Sequence, residues 1–520
     1  MKNKISILAF SLLAIILGCH QKGHEAQKTA VKPVSGGEKL AKVYCATCHA
    51  YPEPALLDLG SWQDHVLPRM GYMLGIYPND SVRETLFEKG PGGERVRTAA
   101  VFPKDPVIKL STWEEIKQFY LENAPEKLPQ PSLPEVNRSL GEMFEVREPA
   151  GRLSPPSTTL VKMSSKEIYI GDAHTQSILK LDSHGQVLNA AKVKEGAVWL
   201  EETDHKLWVA VMGSFSPTDA PTGMILSLPK DGTSGVEIPI KDLQRPVHFQ
   251  LADLDKDGLE DVVVCEFGKW TGGLSWFRNQ GDGNYEKHII SAWAGATKAY
   301  VRDMNKDGIE DVVALFGQGN EGIDIFYGRG DGQFTPQRIL QFSPSHGSSF
   351  FSLLDWENDG DLDIIYTAGD NADFSPVLKP YHGIYIYINQ GDNHFEQGFF
   401  QPMNGAYAAV ARDFDHDGDR DLAAISFFPD FTQTPALDFM YLENKGGLDF
   451  ATPNTFKEAL LRNLSKDIGS LVTELQINIA DADVEPANDL VQSNYPPSPN
   501  AVIFLKVKSY FLANTLEIHL

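Results

Sequence analysis

The sequence predicts a multidomain fold: a small all-α domain near the N-terminus, followed by an all-β propeller of seven blades. Three observations lead there. A Cys-x-x-Cys-His pentapeptide, Cys45 to His49, follows a stretch with apolar residues at helical spacing. Prolines then crowd residues 129–134. Beyond them a nine-residue, aspartate-rich motif recurs four times, at start-to-start spacings of 50, 52 and 58 residues.

A chain of 520 residues is too long for one compact core. Its composition, 42% hydrophobic and 22% charged, is that of a globular protein. Asp and Glu total 70 against 46 Lys and Arg, a formal charge of −24. Such acidity excludes nucleic acid as a partner, because phosphates are repelled. It suits a protein that binds cations.

Met1-Lys2-Asn3-Lys4 and the apolar run from Ile5 to Leu17 have the charged and hydrophobic regions of a secretory signal. The run is too short to span a bilayer comfortably. Ile16-Leu17-Gly18-Cys19 resembles a bacterial lipobox. The resemblance implies a signal peptide over 1–18, acylation of Cys19, and a lipid-anchored linker over 19–35. The alternatives are an uncleaved anchor or ordinary signal cleavage. His20 follows the cysteine where an Asp often retains such proteins at the inner membrane, which points to the outer membrane.

Four cysteines are present: Cys19, Cys45, Cys48 and Cys265. With the first three used for attachment, no disulfide framework remains. Cys265 lies in Val262-Val263-Val264-Cys265 and reads as a small core residue of a strand.

Cys45-Ala46-Thr47-Cys48-His49 matches the attachment signature of c-type haem. Two thiols add to the porphyrin vinyl groups, and the next residue, His49, lies under the iron. Leu40, Val43 and Tyr44 give the preceding segment a helical face. A thioredoxin-like pair would need a βαβ context, and a zinc site would need ligands beyond His65. The region 36–128 resembles a small class I cytochrome c. Its last helix is expected to open on the capping box Ser111-Thr112-Trp113-Glu114, bury Trp113, Ile116, Phe119 and Tyr120, and stop before Pro125. The resemblance implies a methionine as sixth ligand. Met70, 21 residues after His49 and following Trp62 and Val66, is the first choice; Met73, His65 or a five-coordinate iron are the alternatives. The linker over 129–150 opens on the stiff Pro129 to Pro134 segment.

The repeated motif runs Asp253-x-Asp255-x-Asp257-Gly258, closing on Asp261; Asp303-x-Asn305-x-Asp307-Gly308, closing on Asp311; Asp355-x-Glu357-x-Asp359-Gly360, closing on Asp363; and Asp413-x-Asp415-x-Asp417-Gly418, closing on Asp421. Oxygen ligands at positions 1, 3 and 5 converge as such a loop curls, and glycine at position 6 permits the turn. An EF-hand would need flanking helices and Glu at position 12, where Val264, Ala314, Tyr366 and Ala424 stand. The flanks read as strands instead. The pattern resembles FG-GAP, or VCBS-type, repeats, which implies about four calcium ions bound between blade strands. Each copy continues into a second hairpin, giving four strands per unit. Arg329-Gly330-Asp331 falls at such a turn and reads as a turn, not an adhesion signal. Segments around Ile168 to Leu181 and Leu207 to Leu226 add two blades without acidic loops. Ile477 to Leu505 adds a last one with a decayed loop, completing seven over 151–510. Residues 510–520 fit no blade.

Together the two halves resemble exported proteins in which a cytochrome c domain precedes an FG-GAP propeller. The resemblance implies an electron carrier with one haem c, a redox partner protein, and a propeller that docks a partner, glycan or cell-surface protein. The alternative is a quinoprotein-type dehydrogenase that oxidises sugars or alcohols and reduces its own haem. A binding module with a vestigial haem site is a third reading. Replacing Met70 by Ala is expected to shift the visible spectrum and lower the reduction potential. An unchanged spectrum would remove Met70 from the iron.

Overall fold

The computed structural model describes residues 36–131, 135–138, 140, 144–147, 157–164, 167–230, 235–371, 377–433, 435–457, 471–477 and 501–511. Cys19 and the expected signal and anchor therefore lie outside the described residues. No described helix is long and apolar enough to cross a membrane.

Residues 36–123 are helical and irregular. The first helix, Gly36–Tyr44, turns its buried Ala41 toward the last, Leu110–Asn123, which buries Trp113, Ile116, Phe119 and Tyr120. The two backbones approach so closely that a Cβ on Gly37 would lie 2.5 Å from the Glu115 carbonyl oxygen. Only glycine fits there. The last helix does stop before Pro125, but it begins at Leu110 with no side-chain cap. The expected capping box is not formed, because Lys109 already leads the chain in with extended geometry.

A free-standing all-α domain of cytochrome c type is not evident. Residues Gly36–Leu520 form one compact unit. The reason is packing. The cluster around Trp62, Ile116 and Tyr120 takes Val377 into its margin, and that around Phe87, Val96 and Phe102 takes Trp270. Both residues belong to the β portion, so the helices complete their cores only against it.

The β portion is a propeller of six blades, not seven. Five are antiparallel sheets of four strands in sequence order, covering 158–192, 197–243, 246–291, 296–341 and 348–402. The sixth, 406–442, has three strands. Beside it Tyr441 and Asn454 exchange backbone hydrogen bonds of 2.8 Å, and Asn137 bonds in turn to Pro453 and Thr455. Phe144–Arg147, Leu471–Ile477 and Ala501–Phe511 form a further three-stranded sheet. Its Phe144–Arg147 strand pairs in parallel with Ala501 to Phe504. A strand brought in parallel from far along the chain is not the four-stranded antiparallel meander of a blade. The decayed acidic loop expected at 481–489 lies outside the described residues.

The second strand of each acidic blade is buried along its whole length: Asp261–Glu266, Asp311–Phe316, Asp363–Ala368 and Asp421–Ser426. Burial on both faces explains their near-continuous apolar runs, since neighbouring blades sandwich them. Val313, Leu315, Phe351, Ile364 and Tyr366, for example, form one core between adjacent blades. Cys265 is fully buried in such a strand, and burial pushes its thiol pKa far up, as expected of an inert core residue. Arg329 to Asp331 do form a hairpin turn, with the Arg329 amide donating to the Gln333 carbonyl at 3.0 Å.

Candidate functional site

Each acidic loop joins the first two strands of a blade. In all four, the carboxylate at position 1 accepts the amides of positions 5 and 6. Asp253 takes Asp257 and Gly258 at 3.1 and 2.9 Å, and Asp413 takes Asp417 and Gly418 at 3.1 Å each. Asp303 and Asp355 do the same. The position 5 carboxylates of Asp257, Asp307, Asp359 and Asp417 accept the amide two residues on. The curl requires positive φ at position 6, where the glycines stand at +84°, +82°, +91° and +101°. Position 4 is left-handed too, at Lys256, Lys306, Asn358 and His416.

The closing aspartates are buried. Asp261, Asp311, Asp363 and Asp421 each accept one amide from position 2 of their loop, at 2.7–3.2 Å, and one at 2.8 Å from the end of the third strand or, for Asp421, just past it. Burial pushes all four above the ordinary carboxylate range, and neighbouring loop acids push the same way. Carboxylate oxygens of Asp253, Asp255 and Asp261 lie within 4.8 Å of one another, as do those of Asp413, Asp415 and Asp421. The other two loops gather no such acidic trio among the described residues. One carries Asn305 in place of a carboxylate, and the other the longer Glu357.

The pentapeptide sits where the first helix ends. Cys45 to Thr47 form a 3-10 turn, and the Thr47 hydroxyl donates to the Tyr44 carbonyl at 2.7 Å. Both thiols are free; Cys48 is exposed and Cys45 half-buried. The His49 Nδ1 lies 2.8 Å from its neighbour's carbonyl oxygen at Ala50. With that nitrogen as donor, Nε2 keeps its lone pair, as an iron ligand must. Burial lowers the His49 pKa, which favours the neutral form. Trp62 Nε1 and the Tyr120 hydroxyl pin the following segment through the Pro54 and Pro52 carbonyls at 2.8 Å each. Met70 packs at the margin of the same apolar cluster as Cys45. Met73 packs instead in the Phe87 cluster, and His65 is exposed.

Ala46 to Ala50 form one wall of a pocket of about 330 Å³ whose other wall is Trp293, Asn320 and Gln341. Sequence reasoning missed these three. They lie some 250 to 290 residues away, Trp293 and Asn320 in blade loops and Gln341 at the end of a strand, with no motif. Behind them lies a buried polar and aromatic cluster. Gln341 Nε2 donates to the Glu321 carbonyl at 2.8 Å. The buried Glu321 carboxylate accepts the amides of Gly347 and Ser348, at 3.3 and 2.8 Å, and burial pushes its pKa up to about 7. His346 stacks between Phe342 and Tyr381, with ring centroids 5.4 and 4.9 Å away. The Tyr381 hydroxyl reaches the Leu56 carbonyl of the helical segment at 2.9 Å.

The FG-GAP-like repeat family matches residues 253–314 and 303–366, the stretch that holds the first three acidic loops. The chain thus carries FG-GAP repeats in a β-propeller. No curated protein matches it. Among solved structures it is similar to the N-terminal domain of Nup159 at 10% identity, over 63% of this chain and 85% of that one, with a TM-score of 0.35. It is similar to the computationally designed Ika8 protein at 12% identity, over 55% and 71%, with a TM-score of 0.32. A functionally unknown protein from Desulfotomaculum acetoxidans DSM 771 gives 9% identity, 56% and 84% coverage, and a TM-score of 0.36. At these scores the likeness carries no argument about this chain.

Burial lowers the His346 pKa to about 4, with Lys379 adding to the effect. The folded chain therefore binds fewer protons at His346 than the unfolded chain, and stability is lost as pH falls from about 6.5 toward 4. Glu321, raised, acts in the opposite sense between about 7 and 4.5. Replacing His346 by Phe should make the variant gain on the wild type steadily between pH 6.5 and 4, by roughly 2–4 kcal/mol in all. Urea midpoints measured across that range would show it. A constant difference would mean that His346 takes up its proton at the same pH in the folded and unfolded chains.

Proposed function

We propose that this chain is an exported, lipid-anchored electron-transfer protein. Cys45 and Cys48 would hold one haem covalently, His49 and Met70 would ligate its iron, and calcium would fill the acidic loops of the propeller. The single observation that carries the reading is the pocket between Cys48 and His49 on one side and Trp293, Asn320 and Gln341 on the other. A group held by the two thiols would lie against the propeller. The donor set fits a porphyrin iron: two unpaired thiols three residues apart, an imidazole with one nitrogen free, and a thioether in the same apolar cluster as Cys45. When bound, the haem supplies a one-electron ferric–ferrous couple.

The chain's own residues would orient it and set its surroundings. The Ala50 carbonyl fixes the His49 ring. Trp62, Trp113, Ile116 and Tyr120 keep water from the cysteine-bearing side. Asn320 and Gln341 line the propeller side, with the Gln341 amide held by the Glu321 and Phe342 carbonyls. The propeller would then be a rigid platform for the redox partner protein, a glycan or a cell-surface protein, with Cys19 tying the assembly to the outer membrane. The acidic surface argues against nucleic acid.

Expression in a host that matures c-type cytochromes should give a coloured protein with a pyridine haemochrome signal and a reversible one-electron titration. Colourless product would overturn the haem reading. Separately, a chelator should lower the melting temperature by several degrees and calcium should restore it. Each site contributes about 1.4 kcal/mol when free calcium is tenfold above its Kd. A chelator without effect would overturn the calcium reading alone.

A further inference from the structure

We propose that Arg278 is a resident counter-cation of the loop 253–261, so that this loop takes calcium more weakly than the others. The proposal rests on the reading of the acidic loops as calcium sites. It concerns what sits beside one of them.

The register is fixed by the closing aspartates. Asp261, Asp311, Asp363 and Asp421 accept, each at 2.8 Å, the amides of Asn279, Gly328, Asn389 and Asn444. The residue before each of these four therefore holds an equivalent place next to its loop. Those residues are Arg278, Tyr327, Ile388 and Glu443. One is a cation, two are neutral and one is an acid.

The difference is used. The Arg278 Nε donates to Asp255, and its Nη2 donates to Asp257 at 3.1 Å. These are positions 3 and 5, two of the carboxylates that would face the metal. The Tyr327 hydroxyl instead accepts from Asn393 Nδ2 at 3.0 Å, and Glu443 pairs with Lys445. Loops 253–261 and 413–421 gather equally compact carboxylate trios. Yet the first has a guanidinium across two of its acids, and the second has a further carboxylate at the matching place. A guanidinium is always charged and offers donors in a fixed fork, so it neutralises paired carboxylates without leaving its strand. A divalent cation entering the same loop must displace it or sit beside a like charge.

Native mass spectrometry of the full chain at graded calcium concentrations tests this. Where the other loops are filled, Arg278→Gln should hold one calcium more than the wild type, and Arg278→Lys the same number as the wild type. The affinity of the added site should rise on the order of tenfold or more. The melting gain on adding calcium should also be larger for Arg278→Gln than for the wild type. Should that variant fail to fold, the reciprocal change decides: Glu443→Arg should lose one calcium and Glu443→Gln none. Equal counts in wild type and Arg278→Gln, with calcium bound to both, would overturn the role of Arg278 and leave the loops standing as calcium sites. Loss of calcium from both Glu443 variants would overturn it too. No calcium on any chain would overturn the loop reading itself, and this proposal with it.

Discussion

The buried aspartate that closes each acidic loop is the interaction on which the propeller depends. Asp261, Asp311, Asp363 and Asp421 each stand at the first position of a strand that is buried throughout. One oxygen holds the start of the loop and the other holds the end of the third strand, or for Asp421 the residue just past it. A single side chain thus couples loop, second strand and second hairpin. Burial makes the charged form expensive, and the paired amides offset part of that cost. Removing the carboxylate would orphan two amides at once. The same residues are the innermost oxygens that a cation could meet, so fold and candidate site share one set of atoms.

The helical segment depends on the propeller in a different way. Its two apolar clusters are finished by Val377 and Trp270. The polar contacts are equally specific. Glu88 accepts from the Thr218 hydroxyl at 2.7 Å and the Asp219 amide at 3.0 Å, and Arg95 reaches Gln244 at 3.3 Å. Phe102 meets Trp270 edge-on at 5.1 Å. These contacts hold the Cys48–His49 turn against Trp293 and Gln341 in a defined pose. The surroundings of Cys48 and His49 are therefore set partly by the propeller.

Much of this was legible in the chain, and the reasons are local. The first helix forms over Gly36–Tyr44, but it buries Gly37 and Ala41 and leaves Val43 exposed, while the last ends as Pro125 requires. The four acidic loops were legible because position-specific chemistry, glycine at position 6 above all, repeats at blade spacing. Blade count was not. The chain after 457 lacks the motif, and its outer strand is borrowed in parallel from Phe144–Arg147, a pairing that no local pattern encodes. The capping box does not form because the helix starts at Leu110, with Lys109 at the cap, two residues ahead of Ser111. Trp293, Asn320, Gln341 and the Glu321–His346 cluster could not be seen. Each is an ordinary residue until the fold brings it beneath the pentapeptide. Arg278 was visible as a residue, but its place beside Asp255 became clear only from the amide register.

The borrowed edges have a consequence for the order of events along the chain. Asn137 is clasped by Pro453 and Thr455, and Phe144–Arg147 by Ala501 to Phe504. Both pairings therefore join segments more than 300 residues apart, at the entropic cost of closing very long loops. The helices are synthesised first, yet Trp270 and Val377, which finish their packing, come some 150 to 280 residues later. During that interval Cys45 and Cys48 remain on an incompletely packed segment. Once the blades have formed, Trp293 and Gln341 stand across the pocket from Cys48.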